Sequence, residues 1–201
     1  MTTCAEVKRD CFNPDVVLPY ELRVSDFEAA MQDVYDYFFD VNSMFIARGL
    51  PRLEETLRAA NMSGMLSDML TASLAKHSRA LCPNLFHNGH PDLIVRGAYP
   101  NQAVKSGDEG VEIKSTRNPR AAVDTHGARN QSMCVFVYKV DALTEPARDR
   151  SPTVFTNVYI NSVRVEDFRR NLRGELGTPT STLDRKGIAR FRSNWVYREP
   201  A

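Results

Sequence analysis

Residues 89–116 read GHPDLIVRGAYPNQAVKSGDEGVEIKST, and two short apolar runs within them carry charges. Leu93-Ile94-Val95 opens on Asp92, while Val111 and Ile113 alternate with Glu112 and Lys114. Charge inside a strand-like segment is costly unless it is paired, hydrated or bound to a metal. A strand has a side-chain period of two, so Glu112 and Lys114 project from one face and Val111 and Ile113 from the other. The 19 residues between Asp92 and Glu112 suffice for a strand, a turn and a return strand alongside, which brings the two carboxylates together.

Two carboxylates and the Ile113 carbonyl are hard oxygen ligands. They suit Mg2+ with its retained waters, and Mn2+ as a substitute. Lys114, one pleat on, is placed to position or deprotonate a water, or to steady the charge of a phosphate. Metal-assisted hydrolysis of a phosphodiester needs these parts. The plainer alternative makes Asp92 a strand cap and Glu112–Lys114 a surface ion pair. A different metal set, Cys82, His87 and His90 in "CPNLFHNGH", matches no standard zinc-finger spacing and reads more simply as a polar loop leading to Asp92.

Outward from this stretch, the first third is helical in pattern. Ser25 and Glu28 form a capping-box pair, and Phe27, Met31, Val34, Phe38, Val41 and Phe45 recur at helical spacing up to Gly49. Pro51 opens a second helix ending near Asn61, and a third runs from about Ser63 to Ala80 with Met65, Met69, Leu70 and Leu74 inward. Strand-like runs follow at 92–98, 110–116, 132–140 and 153–163, then a short helix "VEDFRRNLRG" and a last apolar segment ending in Trp195-Val196-Tyr197. The pattern predicts one α/β domain over residues 1–201: a helical part (1–80), a mixed sheet (81–163) and a basic C-terminal part (164–201).

At 201 residues, 42% apolar and 25% charged, the chain has the composition of a soluble globular domain with a proper core. No apolar run reaches bilayer length and "MTTCAEVKRDCF" lacks a signal-peptide core, so no membrane partner and a cytoplasmic location are expected. Cys4, Cys11, Cys82 and Cys134 form no CxxC pair and read as reduced thiols. Charge is unevenly spread. Residues 1–70 hold 6 Lys/Arg against 12 Asp/Glu, whereas residues 164–201 hold 9 against 5 and residues 114–150 hold 7 against 4. A basic second half points to a polyanionic partner.

Pro91-Asp92 and Glu112-Ile113-Lys114, with the helix before and the strand after, resemble the PD-(D/E)XK nuclease superfamily over about residues 65–140. Within it the chain looks most like a small type II restriction endonuclease. The resemblance implies a restriction-endonuclease-like mixed β-sheet core flanked by helices and magnesium-dependent cleavage of double-stranded DNA. It makes Asp92 and Glu112 metal ligands, Lys114 the catalytic lysine, and Asp68 on the preceding helix a candidate accessory acid. It also implies a homodimer acting on a palindromic site, and a cognate methyltransferase acting on the same site.

DNA contacts are expected from two segments. Residues 115–132 carry Arg117, Arg120, His126, Arg129, Asn130 and Gln131, side chains suited to base edges and phosphates. In "TPTSTLDRKGIARFRSNW", Thr180, Ser181 and Thr182 read as a helix cap binding phosphate, with Arg185, Lys186, Arg190 and Arg192 nearby. Two rival functions fit the same residues: a structure-specific repair, recombination or phage-processing nuclease, and a non-catalytic nucleic-acid-binding module.

Overall fold

Phe27, Met31, Val34 and Phe38 repeat every three to four residues, and all four are buried along one side of α1 (Val24–Ala47). The structure is a computed structural model describing residues 3–171 and 180–200. α1 begins at Arg23, whose backbone N–H donates to the Asp26 carboxylate at 2.9 Å. The expected Ser25–Glu28 cap does not form, because Glu28 is drawn outward to Arg9 at 2.6 Å.

The expected second helix is only one turn, α2 (Leu53–Thr56). Leu57 and Arg58 are extended, with ψ of 138° and 147°, so the chain breaks there. Asn61 therefore belongs to α3 (Ala59–His77), which starts ahead of Ser63 and stops short of Ala80. Met62, Leu66, Leu70 and Leu74 are fully buried, while Met65 and Met69 pack at the margin. Each such buried side chain contributes about 1.5–3 kcal/mol.

The strands are β1 (Leu81–Pro83), β2 (Leu93–Val95), β3 (Gly110–Thr116), β4 (Gln131–Lys139) and β5 (Val154–Val163), then β6 (Phe168–Asn171), β7 (Thr180–Leu183) and, after α4 (Arg185–Ser193), β8 (Trp195–Arg198). Six form a mixed sheet in the order β1-β2-β3-β4-β5-β8, with β3 and β4 parallel and the other pairs antiparallel; β6 and β7 form a separate ribbon. β2 is shorter than expected because Ala98 N–H turns back to the Val95 carbonyl at 3.0 Å. The architecture is mixed α/β.

The sheet separates two cores. On one face Val111, Ile113, Cys134, Phe136 and Tyr138 pack against α1 and α3, where Ser115 Oγ donates to the Ser63 carbonyl at 2.8 Å. On the other, Met133, Val135, Val137 and Tyr159 meet Ala121 of the β3–β4 connection, Leu183 of β7 and Phe191 of α4.

The C-terminal third departs most from its sequence pattern. The expected helix "VEDFRRNLRG" is a 3-10 turn, Val165–Asp167, followed by β6; its last residues lie outside the described ones. The Asp167 carboxylate takes Arg164 N–H at 2.6 Å and closes the turn, and β6 then pairs antiparallel with β7, the next strand in the chain. Thr180, Ser181 and Thr182 form that partner strand instead of a helix cap. The cap of α4 is Asp184, which accepts Gly187 N–H at 2.7 Å.

Candidate active site

β2 and β3 run antiparallel with Leu93 opposite Val111 and Ile94 opposite Gly110. The approach is close: a Cβ on Gly110 would lie 1.9 Å from the Leu93 carbonyl oxygen, and its φ of +156° is one that side chains rarely adopt. β2 starts where the pairing ends, leaving Asp92 level with Glu112. Asp92 Oδ2 accepts the Ile113 N–H at 2.8 Å. A strand residue points its N–H and C=O to the same side, so the Ile113 carbonyl also faces Asp92, beyond the start of β2.

Glu112 is buried, at 2% exposure, on the face opposite Val111 and Ile113. Its Oε1 is 2.6 Å from Lys114 Nζ and its Oε2 is 3.2 Å from His90 Nδ1, whose ring N–H donates to the carboxylate. Burial and then the Glu112 charge push the Asp92 carboxyl up to about 6, against the pull of Lys114 and the Ile113 N–H. Burial also pushes Glu112 up, but Lys114 and His90 outweigh it and hold Glu112 below its usual value. For Lys114 burial favours the neutral amine. Glu112 and Asp92 overcome it, and the ammonium is held more firmly than usual.

Two carboxylates thus share one half-buried lysine at the end of a strand pair, and a further cation between them would relieve their repulsion. Among the described residues no three His, Cys, Asp and Glu side chains are grouped to hold a metal. The donors that fit one here are Asp92, Glu112 and the Ile113 carbonyl, with water completing the set, which is how magnesium is commonly held. The zinc alternative fails: Cys82 is buried with its thiol at the Ile94 carbonyl, His87 is exposed, and His90 is turned to Glu112.

Asp68 is not brought to this site. It is exposed on α3, roughly 140° around the helix from Ser63, and α3 covers the sheet face opposite Glu112 and Lys114. Three residues have no nuclease role assigned from the sequence. His90 supports Glu112, and its place two residues before Asp92 is the available signal. Arg169 and Arg170 are exposed on β6, hidden in the sequence by the helical pattern.

The expected DNA-contacting residues divide. Arg129 is close enough for its charge to act on Lys114. His126 is exposed and, with Val165, Phe168, Arg170 and Ser181, lines an open groove of about 450 Å³. Arg120 is exposed, as are Arg185 and Lys186 at the start of α4. Others have structural work. Arg117 lies over the Tyr138 ring, 5.6 Å from its centroid, on the α3 side of the sheet. Asn130 Oδ1 accepts Val165 N–H at 3.0 Å, and Gln131 begins β4 opposite Val163. Thr180 and Ser181 are buried strand residues on the wall of that groove, Ser181 exchanging backbone hydrogen bonds with Thr125, and neither caps a helix. Arg190 pairs with Asp167 and Arg192 stacks over Tyr159. No helix among the described residues is long and apolar enough to cross a membrane. No known protein family, characterised protein or solved structure matches the chain, and the reading of the site rests on its own geometry.

Proposed function

We propose that the chain is a magnesium-dependent endonuclease of the PD-(D/E)XK, restriction-endonuclease-like class, cutting double-stranded DNA at defined sites. The observation that carries this reading is the convergence of Asp92, Glu112 and the Ile113 carbonyl beyond the start of β2, with Lys114 2.6 Å from Glu112. Asp92, Glu112 and the Ile113 carbonyl hold the ion. When bound it supplies a Lewis acid and an activated water. The Lys114 ammonium donates hydrogen bonds to the attacked phosphate and balances its growing negative charge. His90 keeps the Glu112 carboxylate in place.

The rest of the catalytic face supports a polyanionic substrate. The β3–β4 connection, the β6–β7 ribbon and α4 pack on the sheet face that Glu112 and Lys114 share, and they present Arg120, Arg129, Arg169, Arg170, Arg185 and Lys186. Cutting both strands at one site is most simply done by a twofold dimer. The test is incubation with phage or plasmid DNA and magnesium, followed by sequencing of the ends, beside branched duplexes of the same length. Discrete ends at one sequence, abolished by EDTA, support the reading. Cleavage in EDTA removes the mechanism, and preference for branched DNA transfers the fold to a structure-specific task.

A further inference from the structure

The loop from β1 to β2 leads straight into Asp92, and its tip is apolar and stands in solvent: Leu85 is 69% exposed and Phe86 42%. A lone apolar side chain in water is ordinary. Here two neighbours share a tip that the fold holds in place. The Asn84 side chain spends its whole hydrogen-bonding capacity on the loop. Its amide donates to the carbonyls of Pro91 and Val104 at 3.0 and 2.8 Å, and its oxygen accepts the N–H groups of Phe86 and Val104 at 3.1 and 3.0 Å. Leu85 N–H donates to the Gln102 carbonyl at 2.9 Å. A turn then closes from Gly89 N–H to the Phe86 carbonyl at 2.9 Å. It closes tightly, because a Cβ on Gly89 would lie 2.4 Å from the Val104 carbonyl oxygen.

This tip sits beside the carboxylate cluster. Gly89 precedes His90, whose ring bonds Glu112 at 3.2 Å. A hydrogen-bonded turn keeps its end Cα atoms within about 7 Å, and one further residue adds about 3.8 Å, so the Phe86 backbone lies within about 11 Å of His90. That is roughly three base steps along a duplex. Lys105, whose carbonyl accepts His90 N–H at 3.1 Å, is exposed, as is His87 in the turn, and both suit backbone phosphates. A duplex with one phosphate at Asp92, Glu112 and Lys114 therefore carries a neighbouring base step past Leu85 and Phe86. Apolar side chains of this kind enter between base pairs and partly unstack them.

We propose that Leu85 and Phe86 form a wedge that enters a base step beside the attacked phosphate and untwists the duplex there. The proposal rests on the nuclease reading and adds to it how the substrate is deformed. The test reads untwisting, not cutting. Closed-circular plasmid is relaxed by topoisomerase I beside the full chain carrying Lys114→Met, in calcium, so that the DNA is held and stays closed. Once the protein is stripped off, the plasmid should be negatively supercoiled relative to a protein-free control. Leu85→Ser with Phe86→Ser should abolish that shift and weaken duplex binding about tenfold. Leu85→Met with Phe86→Trp, which keeps the tip apolar, should preserve both. Melting curves of the variants should match, since Asn84 and the turn are untouched. DNA bound without a change in linking number overturns the proposal and leaves the nuclease reading standing. So does an unchanged shift in the Leu85→Ser/Phe86→Ser chain, including the case where light scattering shows that chain to have lost a dimer, which would make the tip a contact between copies. Failure to bind or cut any DNA removes both readings.

Discussion

Asp92→Asn, Glu112→Gln and Lys114→Met nearly preserve side-chain size while removing a ligand charge or a cation. Each should lower DNA cleavage by about a hundredfold or more while circular dichroism stays native. His90→Ala should cost less, about 10–100-fold, because it touches Glu112 and not the reacting phosphate. Full activity in Glu112→Gln would sink the assignment. At this scale the sequence is legible where a rule of parity applies: period two puts Glu112 and Lys114 together, and the return strand brings Asp92 to them. His90 is not legible, because its contact depends on the path of the loop between β1 and β2. Its neighbours Cys82 and His87 offer a competing zinc pattern that the fold pulls apart. Thr180 and Ser181 mislead because a hydroxyl before a basic helix looks the same whether it caps that helix or sits in the strand before it.

Elements that face a continuous core are readable from periodicity, as α1, β3, β4 and β5 are. Those outside the main sheet are not, and β6, which pairs only with β7 in a separate two-stranded ribbon, carries the pattern of a helix. The β2–β3 approach gives a sharp test. Gly110→Ala would press a methyl into the Leu93 carbonyl, and we expect a loss of about 2–3 kcal/mol in urea unfolding together with loss of cleavage. Unchanged stability would mean that the strands are not so close. α1 and α3 are clasped by Asp33, which bonds Ser73, Lys76 and His77. Burial opposes ionisation of Asp33, yet these three partners prevail and hold its carboxyl at about 2, below the ordinary 3.8. A depressed acid stabilises the fold above its unfolded value, and that contribution fades as pH falls from about 4 to about 2. Thermal midpoints at pH 5 and pH 2.5 should therefore differ more for the parent chain than for Asp33→Asn. An equal difference would remove the clasp.

Across the whole molecule, the sheet assigns α1 and α3 to one face and the basic elements to the other. Arg185→Ala and Lys186→Ala should weaken binding to every DNA sequence alike, lowering the salt slope by about 0.9 for each phosphate no longer neutralised. A change confined to one sequence would make α4 a base reader instead. The shared burial of Asp92 and Glu112 also places activity and durability in opposition. A chain selected only to stay folded would not keep two like charges together in a place where one is hard to ionise. Asparagine at position 92 can still accept the Ile113 N–H while removing the repulsion. Metal-free Asp92→Asn should consequently melt above the parent chain at neutral pH, and magnesium should narrow the gap by stabilising only the parent.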